Sequence, residues 1–207
     1  MTRRSTRTAL FALTLCAGCV RAPTYRAPAP DTVVQIFGQD LSAADLVPPA
    51  ERAKLGEQGT TAALHLALKQ RVWGAVFEDF MKKRSLEPSA GEIEECARKI
   101  QKSNADDWDP ALGPIPLDLE FGGAMVRSWK LNSTLHRQYG GRVIFQQFGL
   151  EPIDAWRKLL EEYERNKAWV VPDPKLRAVV YDYFRNEFSD VGEENTKTFL
   201  ARPYCGE

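Results

Sequence analysis

Between Thr61 and Ser85 large apolar residues recur at every fourth position: Leu64, Leu68, Val72, Val76 and Phe80. Trp73, Phe77 and Met81 lie beside that row and widen it beyond what a surface helix needs, so the spacing predicts a core helix. His65 falls at the edge of the stripe and reads as a boundary residue. Ahead of it, Val33, Val34, Ile36 and Phe37 form a short β-branched, apolar run, and Gly38-Gln39-Asp40 supplies a turn. Ser42 stands three residues before Asp45, a capping-box variant that satisfies free amides at a helix start. Pro48-Pro49 ends that helix early and opens another over residues 50–58. Downstream, Ser89 and Glu92 make a full capping box. Ile93, Cys96, Ala97 and Ile100 follow at helical spacing, which turns Cys96 toward the core.

The periodicity lapses over residues 105–123, where three prolines and several acidic residues predict a loop. Asp106, Asp107 and Asp109 lack the spacing, glycine and glutamate of a calcium loop, so they read as solvated. Helix returns over residues 124–138, with Met125, Trp129, Leu135 and Tyr139 among its larger groups, until Gly140-Gly141 interrupts it. Residues 142–148 fit either a strand or a further helical turn. As a strand they offer residues 33–37 the hydrogen-bonding partner that a lone strand requires. From Pro152 onward, Ile153, Trp156, Leu159, Leu160 and Tyr163 share one helix face, and Lys158–Glu162 and Glu161–Arg165 decorate the other. Asp173 caps a helix with Pro174 at its first position, and Leu176, Val179, Val180 and Tyr183 form its stripe. The pattern as a whole predicts a mainly α fold, with a short N-terminal strand able to pair with a later one.

Composition places the chain among folding sequences: 43% apolar and 10% aromatic residues are enough for a buried core. The N-terminus stands apart. Arg3, Arg4 and Arg7 precede the apolar run Ala9–Leu15, too short for a membrane span but suited to the core of a signal peptide. That run leads into Ala17-Gly18-Cys19 and resembles a bacterial lipoprotein signal, with Cys16 where leucine is usual. The resemblance implies a signal over residues 1–18, acylation of Cys19, and a Pro-rich tether over residues 19–31. Ordinary secretion is the alternative. Without Arg3, Arg4 and Arg7 the balance is 25 basic groups against 28 acidic. No basic stripe remains, which argues against nucleic acid as a partner. Cys96 and Cys205 are then the remaining cysteines. In an oxidising compartment they either bridge, tying the C-terminal tail to the body, or stay as two thiols.

The stretch VVQIFGQDLSAADL, residues 33–46, is followed by ALHLALKQRVWGAVFEDFMKKRSLEPSAGEIEECARKI, residues 63–100. Together they resemble the N-terminal module of SurA-, PpiD- and PrsA-type envelope foldases. Residues 37–41 occupy the module's turn, and residues 85–89 with Glu92-Ile93 its step into a further helix. The resemblance covers residues 31–104, within a helical module at 32–104. Residues 124–207 form a C-terminal helical region packed on it. In that family an N-terminal strand pairs with one from after the helices. The family's parvulin isomerase domain has no counterpart here, where a loop stands instead, so prolyl isomerisation is not implied. What the resemblance does imply is contact with unfolded or folded envelope polypeptides, with Trp73, Phe77, Phe80 and Met81 as candidate contacts.

The best polar constellation is His136, Tyr139 and Arg142 with the amides of Gln146 and Gln147, gathered around Gly140-Gly141. Histidine and tyrosine three apart on a helix can position a proton transfer, while a structural hydrogen-bond network accounts for the same residues. No nucleophile context, metal-ligand spacing or phosphate loop accompanies them, and no cofactor is expected. Three readings therefore stand. The leading one is a non-catalytic, chaperone-like lipoprotein, anchored in the envelope and facing the periplasm. The others are an adaptor with one dedicated partner and an enzyme centred on His136.

Overall fold

The computed structural model describes residues 25–105, 109, 111, 113–146, 149–203 and 205. Cys19, the signal segment, Asp106, Asp107 and Gln147 lie outside the described residues. The elements are β1 (Val34–Ile36), β2 (Gln39–Leu41), α1 (Ala43–Leu46), α2 (Pro49–Lys83), α3 (Ala90–Ser103) and α4 (Leu119–Tyr139). They continue through β3 (Ile144–Gln146), β4 (Gly149–Glu151), α5 (Ile153–Arg165), β5 (Trp169–Val170) and α6 (Pro174–Tyr181). A 3-10 turn (Asp182–Arg185) and α7 (Glu193–Ala201) complete the chain. The fold is mainly helical, with short strands in two small sheets.

All three residues of β1 are buried, Gln35 included, so both of its edges must find backbone partners. The β1–β2 hairpin, with Ile36 opposite Gln39, supplies one. The other is β5, where Ile36 pairs with Trp169 and Gln35 with Val170. The strand expected at 142–148 is present as β3 but is not this partner. It turns back on β4, with Phe145 opposite Leu150, and its outer edge bridges Asp190. A neighbour three residues away closes at far lower chain-entropy cost than β1, whereas α5 carries β5 directly to the first sheet. Residues 25 and 26, inside the Pro-rich segment of the sequence pattern, already touch the body. Lys167 Nζ lies 5.9 Å from the Tyr25 ring, and Arg26 pairs with Asp40, so the chain is held to the body from residue 25.

The four-residue rhythm of α2 becomes its buried face. Leu68, Val72, Val76 and Phe80 are fully buried and Met81 nearly so. Leu68, Val72, Val76 and Phe80 share one core cluster with Trp156, Leu159, Leu160 and Tyr163 of the α5 stripe. Gly56 breaks α2 with φ 65° and ψ −177°, a backbone state open to glycine; the span is therefore two helical segments, as the sequence pattern indicates, joined by a sharp kink at Gly56 instead of after residue 58. Capping boxes form at Ser42–Asp45 and Ser89–Glu92, and Asp173 caps α6 with Pro174 inside it. One hydrophobic core draws on both halves of the chain.

The loop after α3 ends earlier than the sequence pattern indicates. Asp118 caps α4 by accepting from Phe121 N at 2.8 Å, so Gly122 and Gly123 are helical. Their role is close approach. A Cβ on Gly122 would lie 2.9 Å from Ala97 Cβ and from its backbone nitrogen, whereas one on Gly123 would meet only Ile93 side-chain atoms at 3.6 Å or more. A disulfide joins Cys96 on α3 to Cys205 in the tail, beside Val126. Trp129 Nε1 donates to Phe199 O at 2.9 Å and holds α7 on α4.

Gly122→Ala is expected to lower the urea midpoint by the equivalent of about 1–3 kcal/mol through overpacking. Gly123→Ala should leave it unchanged or raise it by up to about 1 kcal/mol of helix propensity; equal losses in both would remove the close-packing account. Glu92 has a pH signature. Lys130, then the Ser89 amide and hydroxyl, hold its carboxyl down from 4.5 to about 2. A depressed carboxylate contributes stability above its unfolded pKa and loses it as pH falls through the folded one. Melting curves of Glu92→Gln should therefore fall below wild type at pH 7 and converge with it near pH 2.

Candidate functional site

Helices α2, α4 and α5 end at one pole of the molecule, where a cleft of about 280 Å³ opens between them. Phe80 and Leu159 form its floor, and Lys83, Arg84, Tyr139, Glu162, Tyr163 and Asn166 its walls. The helix ends beneath it are closed by their own caps. Leu86 N reaches Met81 O over Ser85, Ala168 N reaches Tyr163 O over Lys167, and Lys158 Nζ reaches Tyr139 O at 2.8 Å. The guanidinium of Arg84 lies 3.8 Å from the Phe80 ring centre and donates to Gln138 Oε1 at 2.7 Å. It covers the apolar floor, which is why Phe80 is fully buried although it lines the cleft.

The tyrosines of the cleft are fixed as donors. Tyr139 donates to Glu162 at 2.6 Å and Tyr163 to Asp79 at 2.7 Å, and Lys83 pairs with Asp79 as well. Burial first, and then the carboxylate each one serves, push both phenols well above their ordinary value. Phenols so raised stay protonated at neutral pH, which suits positioning rather than proton abstraction. Phe37 stands at the rim, edge-on to Tyr163 with ring centres 6.4 Å apart and its amide bound to Ala168 O. Its φ of 48° and the 81° of Gly38 match the pattern of a type I′ hairpin turn, in which asparagine is the usual first residue. An aromatic residue there is locally unfavourable, and Phe37 is nevertheless 48% exposed.

The expected polar constellation is not assembled. His136 Nε2 donates to Gly141 O at 3.2 Å, Tyr139 turns to α5, and Arg142 forms a two-pronged pair with Asp154. Gln146 sits in β3 opposite Gly149. His136, Tyr139 and Arg142 each serve a different structural partner. The candidate polypeptide contacts are also displaced, because their stripe is the core. Phe80 and Met81 are buried, and Phe77 tilts on Trp156 at 5.5 Å. Trp73 stacks on Phe184 at 5.2 Å and donates to Val180 O at 3.0 Å.

Apolar exposure lies elsewhere. Leu117, Leu119 and Phe121 are 38%, 49% and 40% exposed at the start of α4, and Phe145 on the β3–β4 hairpin is 70% exposed. Phe121 and the cleft residue Tyr139 lie eighteen positions apart on α4, about 27 Å at the helical rise, so the two surfaces occupy opposite ends. The sequence reading missed the first run because it lay inside the presumed loop. The hairpin is fastened by Asn132, which is buried: its Oδ1 accepts from Trp156 Nε1 at 2.8 Å, and its Nδ2 donates to Leu150 O at 3.2 Å. Among the described residues no group of three or more His, Cys, Asp or Glu could hold a metal ion, and no helix is long and apolar enough to cross a membrane.

No protein-family model matches this chain, and comparison with curated proteins and with solved structures returned no match.

Asn132→Ala strands the indole N–H of Trp156 and the carbonyl of Leu150. A loss of about 1–3 kcal/mol is expected from the buried unpaired groups. Hydrogen exchange at residues 144–151 should quicken more than in α2; protection unchanged there would show that the hairpin is fastened by other contacts.

Proposed function

We propose that the protein is a non-catalytic envelope lipoprotein, acylated at Cys19, that binds polypeptides in a chaperone-like manner on the periplasmic side. The observation that carries this reading is the run Leu117, Leu119 and Phe121. Three large apolar side chains stand substantially exposed within five residues, at the end of α4 remote from the tether. Exposed apolar residues scattered singly are ordinary, but a concentrated group marks a contact surface. It stands at a helix start, where exposed side chains offer area to a polypeptide. Phe145, on a hairpin that Asn132 fastens, is a second exposed aromatic.

The reading supplies a role for the tethered architecture. A membrane-fastened body that presents its apolar end away from the chain's origin is accessible to polypeptides crossing the periplasm. A dedicated-partner adaptor would use the same surface with a single occupant.

Light scattering of a chemically unfolded outer-membrane protein, diluted into buffer with the purified protein, tests this. Several-fold excess should suppress aggregation. The double variant Leu119→Ser, Phe121→Ser should suppress it several-fold less while keeping its melting temperature, since both side chains are exposed. Undiminished protection by the double variant would move binding away from this end; no protection by wild type would end the chaperone reading. A photo-crosslinker at position 121 that yields one dominant adduct in cells would favour the adaptor.

A further inference from the structure

The cleft pole has a use that the polypeptide reading leaves open. The described chain enters the body there. Tyr25 packs against Lys167, and Arg26 pairs with Asp40 beside the β1–β2 turn. Six residue steps separate Cys19 from Tyr25, a reach of about 20 Å at full extension. An acyl chain on Cys19 therefore keeps this pole, and not the Phe121 end, within about 20 Å of the bilayer.

The chemistry of the pole fits that neighbour. Phe37 projects half-exposed from the hairpin turn, and Tyr25 is 53% exposed beside it. Lys167 stands against Tyr25, Lys83 lies over the Tyr163 ring that Phe37 meets, and Arg84 lines the same cleft; all three are exposed. The nearby acids have partners: Asp40 has Arg26 and Gln35, Asp79 has Lys83 and Tyr163, Glu162 has Tyr139, and Glu164, which also feels Lys167, has Arg177 and Tyr181. Arg84 donates to the neutral Gln138 amide and lies over the Phe80 ring. An exposed aromatic on a fixed turn within a rim of such cations matches the interfacial zone of an anionic bilayer, where aromatic rings sit at headgroup depth and cations meet phosphates.

We propose that the face formed by Tyr25, Phe37, Arg84 and Lys167 docks on anionic phospholipid, with Phe37 entering the headgroup layer. This rests on the lipid-anchored reading and deepens it: the acyl anchor brings the body to the surface, and the face fixes its orientation. A lipid chain and a basic patch acting together is the pairing that makes peripheral attachment stable. The Phe121 end then points away from the membrane.

The test uses protein lacking residues 1–19, the segment the signal reading removes with its acylated cysteine; the described fold lies entirely within residues 25–205. It is sedimented with excess vesicles of phosphatidylcholine alone or mixed with phosphatidylglycerol. Binding to the mixed vesicles, absent with phosphatidylcholine alone and weakened by salt, is expected. Lys167→Glu and Phe37→Ser should each reduce partitioning about fivefold or more, while Phe121→Ser leaves it unchanged. Phe37→Asn is the fold control, because it fits the turn better than phenylalanine. It should hold or raise the melting temperature and still weaken binding. Absence of binding to the mixed vesicles, or binding indifferent to Phe37 and Lys167, overturns the docking face. Metabolic labelling of Cys19 with palmitate reports separately on the anchor, so loss of either idea is read apart from the other.

Discussion

A strand with every residue buried must satisfy its backbone along both edges, and β1 meets that demand with chain from opposite ends of the sequence. The hairpin to β2 is local. The pairing with β5 reaches from residue 36 to residue 169, and most of the architecture follows from it. To bring Trp169 to Ile36, α5 has to lie along α2, which sets the two apolar stripes against each other. Trp169 is then fully buried, with its indole N–H donated to Leu160 O at 3.2 Å. The turn that delivers β5, at Lys167, stands beside the point where the N-terminal segment meets the body. The closure of the core and the entry of the N-terminal segment at residue 25 are thus one geometric fact.

Much of this was legible along the chain wherever local chemistry decides the outcome. The stripes of α2 and α5 declare their buried faces, and Ser42, Ser89 and Asp173 announce helix starts because a capping side chain has little other reason to occupy those places. The cysteines at 96 and 205 left a bond and two thiols equally open, and the pair is joined in the fold. What escaped the pattern depends on partners distant in sequence. Gly122-Gly123 reads as loop until Ala97 is seen pressing on Gly122. Trp169–Val170 is two residues long, too short to show a period. The exposed run at the start of α4 was hidden by the same error that placed that start five residues late.

The polar residues around Gly140-Gly141 teach a related lesson. On a helix His136 and Tyr139 share a face, but the chain after them turns sharply, and Gly141 comes against Asp154 so closely that a Cβ there would lie 2.5 Å from that of Asp154. The turn offers His136 a carbonyl and gives Arg142 a carboxylate, while Tyr139 is claimed by α5. Spacing in sequence located the polar groups without revealing that each had a separate structural partner. Aromatic residues behaved in the reverse way. Trp73 and Phe77 were read on one helix and Trp156 on another, yet they meet Tyr183 and Phe184 in one cluster that turns these α2 aromatics inward.

Backbone strain supplies an independent reason to regard the cleft pole as more than a place where helices stop. Among the described residues, the non-glycine positions in left-handed conformation are Phe37, Ser85 and Lys167. Each costs about 1–2 kcal/mol relative to an ordinary conformation, and glycine or asparagine would relieve it. All three border the same cleft. Ser85 follows Arg84, Lys167 follows the lining residue Asn166, and Phe37 stands over Tyr163. For Ser85 and Lys167 the helix caps explain the backbone but not the side chain, since a capping turn favours glycine. Phe37 has the least structural excuse of the three: half its surface is in solvent, in a turn that prefers a small polar residue. Strain is thus gathered at one pole, where it accompanies an exposed lysine, Lys167, and a half-exposed aromatic, Phe37.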